Sequence, residues 1–384
     1  MKVGIDKISF YTPQQYLDLT DLAAARNVDP NKYLIGIGQQ QMSVAALDQD
    51  IVAMAANAAE AILTLEDRQN LGLVIVATES GVDQSKAAAL FVQDLLQINP
   101  NIRALEIKEA CYGATAALQL AHDFVQLHPQ QKALVIASDI ARYGLNTAGE
   151  VTQGAGAVAM LVSEQPHILA LESLAFYQSK NAGDFWRPNY SQQALARGKY
   201  SEELYLQMFT QIYQRAQQKV AIDQLAALLF HIPFSKMGRK ALKTLQDQIP
   251  EADYKRLLAR FEQSILYGQK VGNIYTGSLY LSLISLLEHD NSLQAHDRIA
   301  LFSYGSGAVG ELFFGQLQPN YQAYLRPQAH QELLQQRRRL TVDEYENIFQ
   351  RQLVTDGSCQ EIVPPTTTTK HYLKKVDQHE RFYQ

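Results

Sequence analysis

Apolar residues along the chain follow two alternating patterns. Residues 50–65 carry apolar side chains at helical spacing, whereas residues 71–77 form a short continuous apolar run. Runs of this kind are typical of strands that are covered on both faces. The alternation continues with a helix predicted over 87–96, a strand over 104–107, a helix that opens at Cys111 and a strand over 132–138. Alternating strands and helices predict a layered α/β fold.

The chain also contains an internal repeat. Three pairs of similar positions recur in the same order, namely Gly154 with Gly305, Glu79 with His231, and Cys111 with Asn273. We therefore predict two related halves, residues 1–170 and 171–384. Residues 177–222 are rich in Gln, Tyr and charge, which predicts a peripheral helical insertion in the second half.

The chain has two glycine motifs, Gly-Ala-Gly-Ala-Val from Gly154 and Gly-Ser-Gly-Ala-Val from Gly305. A strand-like segment follows each of them. A dinucleotide fingerprint instead requires a helix after its glycines. We therefore expect tight turns between strands, whose backbone N–H groups can approach a ligand. Further along, the sequence from Thr341 predicts a capped helix, and Pro364 and Pro365 predict a loop.

Composition excludes several classes of protein. Of the 384 residues, 47% are hydrophobic and 19% are charged, which is typical of a globular chain rather than a disordered one. The net charge is −5, and the one tight basic cluster is Arg337 to Arg339, which we interpret as a solvated helix face. A nucleic-acid partner is therefore not expected.

Cysteine spacing and hydropathy indicate the compartment. Cys111 and Cys359 lie too far apart in sequence for a zinc-ligand pattern and form no disulfide framework. Asp6 and Lys7 lie where a signal peptide would be apolar, and no stretch reaches the length of a membrane span. We expect a cytoplasmic protein with no metal and no membrane partner.

Cys111 is a candidate nucleophile. It lies among small residues at the predicted start of a buried helix, where unpaired N–H groups and the helix dipole favour a negative charge. We therefore expect a lowered pKa and a thiolate at neutral pH. A lone cysteine in such a segment is also compatible with simple packing.

His231 and Glu79 both follow apolar, strand-like runs, so both should lie at the ends of buried strands, where open α/β sheets bind their ligands. A buried histidine without function, or a glutamate that reaches water, would explain each residue taken singly. Together with Cys111 and Asn273, however, they occupy repeat-equivalent positions. Packing of two related halves would bring all four to one site.

Four segments carry a family resemblance, namely Glu-Ala-Cys-Tyr-Gly-Ala-Thr over 109–115, Phe-His-Ile-Pro-Phe-Ser-Lys-Met-Gly-Arg-Lys over 230–240, Val-Gly-Asn-Ile-Tyr-Thr-Gly-Ser-Leu over 271–279, and Ser-Tyr-Gly-Ser-Gly-Ala-Val-Gly over 303–310. They resemble the 3-hydroxy-3-methylglutaryl-CoA synthase family of the thiolase superfamily. The likeness extends from residue 29 to residue 377. Ala114 departs from the pattern, since many relatives have a second glycine there. The short length resembles the bacterial form.

This resemblance implies a five-layered αβαβα fold and a homodimer. It implies the condensation of acetyl-CoA with acetoacetyl-CoA and water to 3-hydroxy-3-methylglutaryl-CoA and CoA, in the mevalonate pathway of isoprenoid biosynthesis. The CoA thioesters are the substrates, and no further cofactor is implied.

The same resemblance implies roles for individual residues. Cys111 would be acetylated, Glu79 would be the general base, and His231 would contact the acetoacetyl group. Asn273 and Ser306 would bind the acyl oxygens, and the N–H groups of Ser306 and Cys111 would form an oxyanion hole. The residues implied around the acyl pocket are Tyr143, Thr152, Asp184, Phe185 and Ser201. Those implied near CoA are Asp29, Lys236 and Lys240. The stretch with the two lysines would also fit a solvated helix face.

The chemistry of the residues agrees with this implication. A thiolate suits a thioester substrate, and taking a proton from an acetyl methyl group requires a base of raised pKa and donors that stabilise the enolate oxygen. A decarboxylating 3-ketoacyl synthase of the initiating type uses a similar Cys, His and Asn set but needs no such base, so Glu79 discriminates against it. The intact set of four residues argues against a catalytically silent thiolase-fold scaffold.

Overall fold

Helices and strands alternate along most of the chain. The computed structural model describes residues 2–191, 193–364 and 369–384. The strands are β1 (Val3–Tyr11), β2 (Gln15–Asp18), β3 (Gln41–Ser43), β4 (Leu71–Ala77), β5 (Arg103–Ile107), β6 (Lys132–Ala141), β7 (Gly154–Glu164), β8 (Leu169–Ser179), β9 (Phe185–Trp186), β10 (Leu195–Ala196), β11 (Ala227–Phe230), β12 (Arg298–Gly305), β13 (Val309–Leu317), β14 (Arg338–Leu340), β15 (Gln360–Glu361), β16 (Leu373–Asp377) and β17 (Glu380–Tyr383).

The α-helices are α1 (Leu19–Ala25), α2 (Ile51–Glu60), α3 (Leu65–Asn70), α4 (Ala88–Leu95), α5 (Gly113–Leu127), α6 (Gly198–Ala216), α7 (Ser235–Lys243), α8 (Glu251–Ser264), α9 (Gly268–Val271), α10 (Ser278–His289), α11 (Pro327–Gln335) and α12 (Val342–Gln350). A π-helical turn spans Lys32–Ile37, and short 3-10 turns include Glu150–Thr152 and Tyr275–Gly277. The helices and strands predicted over residues 50–138 are all present. In the described part of the chain, no helix is both long and apolar enough to cross a membrane.

The main sheet has nine strands in the order β11-β12-β13-β8-β1-β7-β6-β4-β5. In one series, β4 pairs in parallel with β6, and β6–β7 and β7–β1 are antiparallel. In the other series, β11 pairs in parallel with β12, and β12–β13 and β13–β8 are antiparallel. The two series share strand order and direction and meet where β1 pairs with β8. This topology is the one expected for two related halves. Their boundary at residue 170 falls just inside β8 and stays a prediction.

Strand residues alternate between helical layers. In β4, Val74 and Val76 pack with α2 and α4, whereas Leu73 and Ile75 face the central cluster that contains α5 and α10. In β11, the alternate residues divide in the same way between the central cluster and an outer cluster with α6, α7 and α8. The order of layers is therefore α2 with α4, one half of the sheet, α5 with α10, the other half of the sheet, and α6 with α7 and α8. These are the five layers that were predicted.

One of the two predicted glycine turns is present. Gly305 ends β12, and residues 306–308 turn tightly into β13. Gly154 is instead the first residue of β7, well after the end of β6, so that prediction is wrong. A Cβ atom on Gly154 would lie 2.7 Å from the carbonyl oxygens of Val271 and Asn273. The glycine is required because the segment that carries Asn273 crosses the strand at this point.

The predicted peripheral insertion over residues 177–222 is also different in the structure. It contains the end of β8, the β9–β10 hairpin and α6. Leu204, Met208, Phe209 and Ile212 of α6 are buried in the outer cluster with β12 and β13. The polar residues that suggested a peripheral helix cover its outer face only, so α6 is part of the outer layer.

The interpretation of Arg337 as part of a solvated helix face is wrong. Its guanidinium is buried and donates to the Ser43 hydroxyl at 3.0 Å and to the Lys270 carbonyl at 3.0 Å. Arg338 and Arg339 lie in β14 and pair with acidic side chains. The predicted helix from Thr341 is confirmed, with Thr341 as its cap. Of the predicted proline loop, residues 365–368 lie outside the described residues.

Candidate active site

Glu79 and Cys111 lie against each other. Glu79 follows β4, and Cys111 precedes α5 after β5, which pairs in parallel with β4. The Cys111 thiol donates to Oε1 of Glu79 across 3.5 Å. Both residues are half-buried. The predicted pairing of a strand end with a helix start is thus present in the structure.

The electrostatics of this pair differ from the expectation. Burial raises the pKa of Glu79 to about 8, with a further contribution from the Asp139 carboxylate. Burial likewise raises the pKa of the Cys111 thiol well above its usual value, and Glu79 and Asp139 add to the shift. The expectation of a lowered pKa at Cys111 is therefore wrong, because burial and, after it, the two neighbouring carboxylates disfavour the thiolate.

Asp139 organises the site and was missed in the sequence. It is fully buried in β6, and its Oδ1 accepts from Glu79 N–H, Thr78 Oγ1 and Ser80 Oγ, each at 2.9 Å. Its Oδ2 accepts from Thr276 N–H at 3.1 Å and Thr276 Oγ1 at 2.6 Å. One carboxylate thus joins the segments that carry Glu79 and Asn273. The signal was a charged residue inside an otherwise apolar strand.

Arg187 is a second residue that the sequence analysis missed. Its guanidinium donates to the backbone carbonyl of Glu79, and its charge opposes the rise in the pKa of that carboxyl group. Arg187 follows β9 in a polar segment. Nothing in its local sequence distinguishes it from a surface arginine.

Asn273 has a fixed orientation. Its Oδ1 accepts from the N–H of Tyr275 and from Ser278 Oγ, both at 2.9 Å. Its Nδ2 therefore points to the Tyr143 hydroxyl, 3.1 Å away. The rings of Tyr143, Phe185 and Tyr275 lie 5.9 to 6.1 Å apart and form an aromatic wall. Tyr275 was not singled out in the sequence.

Asp184 and Ser201 meet beside the β12–β13 turn. Asp184 is fully buried, and its Oδ2 accepts from Tyr304 OH at 2.8 Å and Ser201 Oγ at 3.2 Å. Its Oδ1 accepts from the N–H of Gly307 at 2.9 Å. This carboxylate therefore holds the turn that contains Ser306.

Thr152 lies in the 3-10 turn before β7, and its Oγ1 donates to the carbonyl of Gly149 at 2.9 Å. The next residue, Gln153, accepts from the N–H of Tyr143 at 2.8 Å. Thr152 therefore lies next to a residue that supports Tyr143. Among the bonds found for the described residues, it makes no direct hydrogen bond to Glu79 or Cys111.

His231 follows β11 directly. Its N–H donates to the Phe302 carbonyl, and its carbonyl accepts from Tyr205 OH, both at 2.7 Å. Burial lowers the pKa of its imidazole to about 3, so the ring is neutral at physiological pH. Its Nδ1 is buried and has no hydrogen-bond partner among the residues that the structure describes.

Asp29, Lys236 and Lys240 lie apart from the hydrogen-bonded cluster. Asp29 is exposed before the π-helical turn, and Lys236 Nζ donates to the Ile35 carbonyl of that turn at 3.2 Å. Lys240 Nζ pairs with Glu202 at 2.7 Å. Asp29 and Lys236 therefore belong to one surface region, and the charge of Lys240 is already compensated.

Comparisons with known proteins give a consistent result. Models of the N-terminal and C-terminal parts of hydroxymethylglutaryl-coenzyme A synthase match residues 1–166 and 243–384. The hydroxymethylglutaryl-CoA synthase of Enterococcus faecalis is 53% identical over 358 residues, which are 93% of this chain and 94% of that protein.

Solved structures agree with these sequence matches. An HMG-CoA synthase complexed with CoA matches with a TM-score of 0.97 and 44% identity, over 100% of this chain and 99% of that chain. A structure of MvaS in complex with 3-hydroxy-3-methylglutaryl coenzyme A matches with a TM-score of 0.91 and 36% identity, over the same shares. The predicted thiolase-like fold is confirmed.

Proposed function

Because the chain belongs to the hydroxymethylglutaryl-CoA synthase family, we propose that it condenses acetyl-CoA with acetoacetyl-CoA and water to 3-hydroxy-3-methylglutaryl-CoA and CoA. The reaction is an acyl transfer with formation of a carbon–carbon bond, and it serves the mevalonate pathway. The observation that carries the assignment is the contact between Cys111 Sγ and Glu79 Oε1. It joins a nucleophile to a base.

In the first half-reaction, Cys111 attacks the thioester carbon of acetyl-CoA. The thiol proton can pass to ionised Glu79 across the 3.5 Å contact, but the attack needs only the thiolate and no base at position 79. The tetrahedral oxyanion is stabilised by the N–H groups of Cys111 and Ser306. Collapse breaks the bond to the CoA sulfur, which takes up the proton that Cys111 gave up and leaves as the thiol, so that Glu79 is ionised again. The product is acetyl-Cys111.

In the second half-reaction, ionised Glu79 removes a proton from the acetyl methyl group. The resulting enolate attacks the ketone carbon of acetoacetyl-CoA, and the ketone oxygen takes up the proton held by Glu79, which gives the hydroxyl and restores the carboxylate. The neutral imidazole of His231 can donate a hydrogen bond to that oxygen without adding a positive charge to a buried site. Water then cleaves the thioester to Cys111 and releases the product.

The remaining site residues bind and shape the substrates. Asn273 Nδ2, turned to Tyr143 OH, is placed to hold an acyl oxygen. Phe185 and Tyr143 enclose the acyl group, while Asp184 fixes the turn of Ser306. We assign Thr152 and Ser201 to the support of this pocket, and Asp29, Lys236 and Lys240 to the CoA moiety.

The experiment is to incubate the protein with acetyl-CoA and acetoacetyl-CoA and to identify the product by mass. Formation of 3-hydroxy-3-methylglutaryl-CoA supports the proposal, and the reaction should continue in the presence of a metal chelator. A decarboxylating synthase would instead consume malonyl-thioesters. A silent scaffold would neither bind acetyl covalently nor form product.

We further propose a cytoplasmic homodimer. Strand β5 is one of the two edges of the main sheet; among the described strands it pairs only with β4, and an unpaired edge is suited to a second copy of the chain. On neighbouring α5, Leu120 and Leu127 are exposed by 52% and 78%. Light scattering after size exclusion should give twice the monomer mass, and Leu127→Glu should weaken the dimer if α5 contributes to it.

A further inference from the structure

Glu311 is a buried carboxylate that the proposed mechanism does not use. It lies in β13, is 3% exposed, and burial raises its pKa. Its Oε2 accepts from Tyr112 OH at 2.6 Å, and its Oε1 accepts from Gln119 Nε2 at 2.9 Å. Each oxygen therefore has its own donor, which is how a buried carboxylate is stabilised.

Both donors belong to α5 and its cap. Tyr112 is the N-cap residue and directly follows Cys111, whereas Gln119 lies two turns further along the same face of the helix. A side chain of the second half of the chain thus holds the helix of the first half that begins at the nucleophile. Gln119 secures the helix, and Tyr112 secures its first peptide.

The backbone beside Cys111 is held from the same hairpin. A Cβ atom on Gly305 would lie 2.7 Å from the N atom and from the Cβ atom of Tyr112, so the two backbones are in direct contact. Gly305 ends β12 and Glu311 is near the start of β13. The β12–β13 hairpin therefore contacts Tyr112 both at its backbone and at its hydroxyl.

We propose that Glu311 is a positioning residue for the nucleophile, which holds Cys111 against Glu79 by accepting the hydrogen bond of Tyr112. This role rests on the proposed function of Cys111. It extends that function to a residue that does not touch the substrate.

This role requires a hydrogen-bond acceptor at position 311 rather than a negative charge. In Glu311→Gln the amide oxygen can still accept from Tyr112, and a flipped Gln119 can accept from the new NH₂ group. In Glu311→Leu no acceptor remains, and the Tyr112 hydroxyl is left without its partner. The two variants therefore separate geometry from charge.

The experiment measures the single-turnover rate of Cys111 acetylation with labelled acetyl-CoA. We expect Glu311→Leu to lower the maximal rate about 10- to 100-fold, since small misplacements of reacting groups cost this much, with little change in the half-saturating acetyl-CoA concentration. Glu311→Gln should stay within about threefold of the wild type, because its bond is conserved. Tyr112→Phe should resemble Glu311→Leu.

The matched control is Tyr267→Phe. Tyr267 OH donates to Glu288 at 2.6 Å, which is the same chemistry, and neither of these residues belongs to α5. It should acetylate Cys111 at the wild-type rate even if its unfolding midpoint falls. The double variant Tyr112→Phe/Glu311→Leu should be no slower than the slower single variant, because both single changes remove the same bond between Tyr112 and Glu311.

Wild-type acetylation in folded Glu311→Leu would overturn the proposal, as would equal rates in Glu311→Leu and Glu311→Gln, or effects that multiply in the double variant. If Glu311→Leu does not fold, Tyr112→Phe and Glu311→Gln still decide the question. A wild-type protein that acetylates Cys111 but forms no condensation product would contradict the proposed function, and the acetylation rates would still test the role of Glu311.

Discussion

The backbone N–H of Glu79 donates to the carboxylate of Asp139 across 2.9 Å. The segment that carries the base is therefore fixed by a second acid, and that acid contributes to the raised pKa of Glu79. Burial raises the pKa of Asp139, and the five hydrogen bonds that it accepts oppose this rise. The arrangement supplies a base that is stronger than an ordinary carboxylate.

A pH profile follows from this arrangement. Condensation requires ionised Glu79, so the rate of the second half-reaction should rise with pH through about 8. In Asp139→Asn the neighbouring charge is removed, which should move the midpoint to lower pH while lowering the maximal rate, because Thr276 N–H loses its acceptor. Condensation by preformed acetyl-enzyme, measured from pH 6 to about 9.5, tests this. An unchanged midpoint in a folded Asp139→Asn protein would contradict the electrostatic account.

Glu79→Gln should separate the two half-reactions. Removal of the carboxylate takes away one cause of the raised pKa of Cys111, so the thiol should react at lower pH and acetyl-enzyme should still form. Condensation should fall by about 10² to 10⁴, which is the usual contribution of a positioned base. Acetyl incorporation and product mass, measured on the same sample, report the two steps. Near-normal condensation would favour a decarboxylating relative over the proposed reaction.

The elements that position these residues could be predicted from the sequence. The apolar runs before Glu79 and His231 are strands because Val, Leu and Ile suit positions covered on both faces, and the small residues after Cys111 suit a helix buried between two layers. These patterns are local. The elements that they predict are present in the fold because each one packs in its layer as its apolar pattern requires.

The electrostatics could not be predicted in the same way. The pKa of Cys111 depends on Asp139, which is distant in sequence and joins the site through strand order. Arg187 reaches Glu79 from a polar segment, and Arg337 is buried by contacts with residues far away in the chain. Such contacts leave no local periodicity, so only the assembled fold reveals them.

Cys111→Ser should abolish covalent acetylation and turnover. A serine hydroxyl at this position has neither the nucleophilicity of sulfur nor a pKa within reach of Glu79. Cys359 is exposed, so Cys359→Ser is the matched control and should retain wild-type activity. Peptide mass mapping after incubation with labelled acetyl-CoA locates the acetyl group. Label on Cys359, or wild-type labelling of Cys111→Ser, would refute the assignment.

The lysines of α7 should differ in their effects on CoA binding. Lys236 donates only to a backbone carbonyl and keeps its charge available for a phosphate, so Lys236→Ala should raise KM for acetyl-CoA by about 3- to 10-fold at unchanged kcat. Lys240 is paired with Glu202, so Lys240→Ala should raise KM less. Lys243→Ala, on the same helix and exposed, is the control. Equal KM values in all three variants would indicate a solvated helix face.

His231 should make the stability of the protein depend on pH. Burial lowers the pKa of its imidazole from 6.5 to about 3, so the folded state binds fewer protons than the unfolded state between these values. The contribution of neutral His231 to the free energy of unfolding is fully present above pH 6.5. It is lost as pH falls towards 3, with a slope of at most about 1.4 kcal/mol per pH unit. Denaturant unfolding of wild type and His231→Asn from pH 7.5 to about 4.5 measures it, and the variant should show a smaller slope. Equal slopes would mean that the ring is hydrated or paired. The same variant should form acetyl-enzyme normally but condense slowly, since we propose that the ring contacts the second substrate.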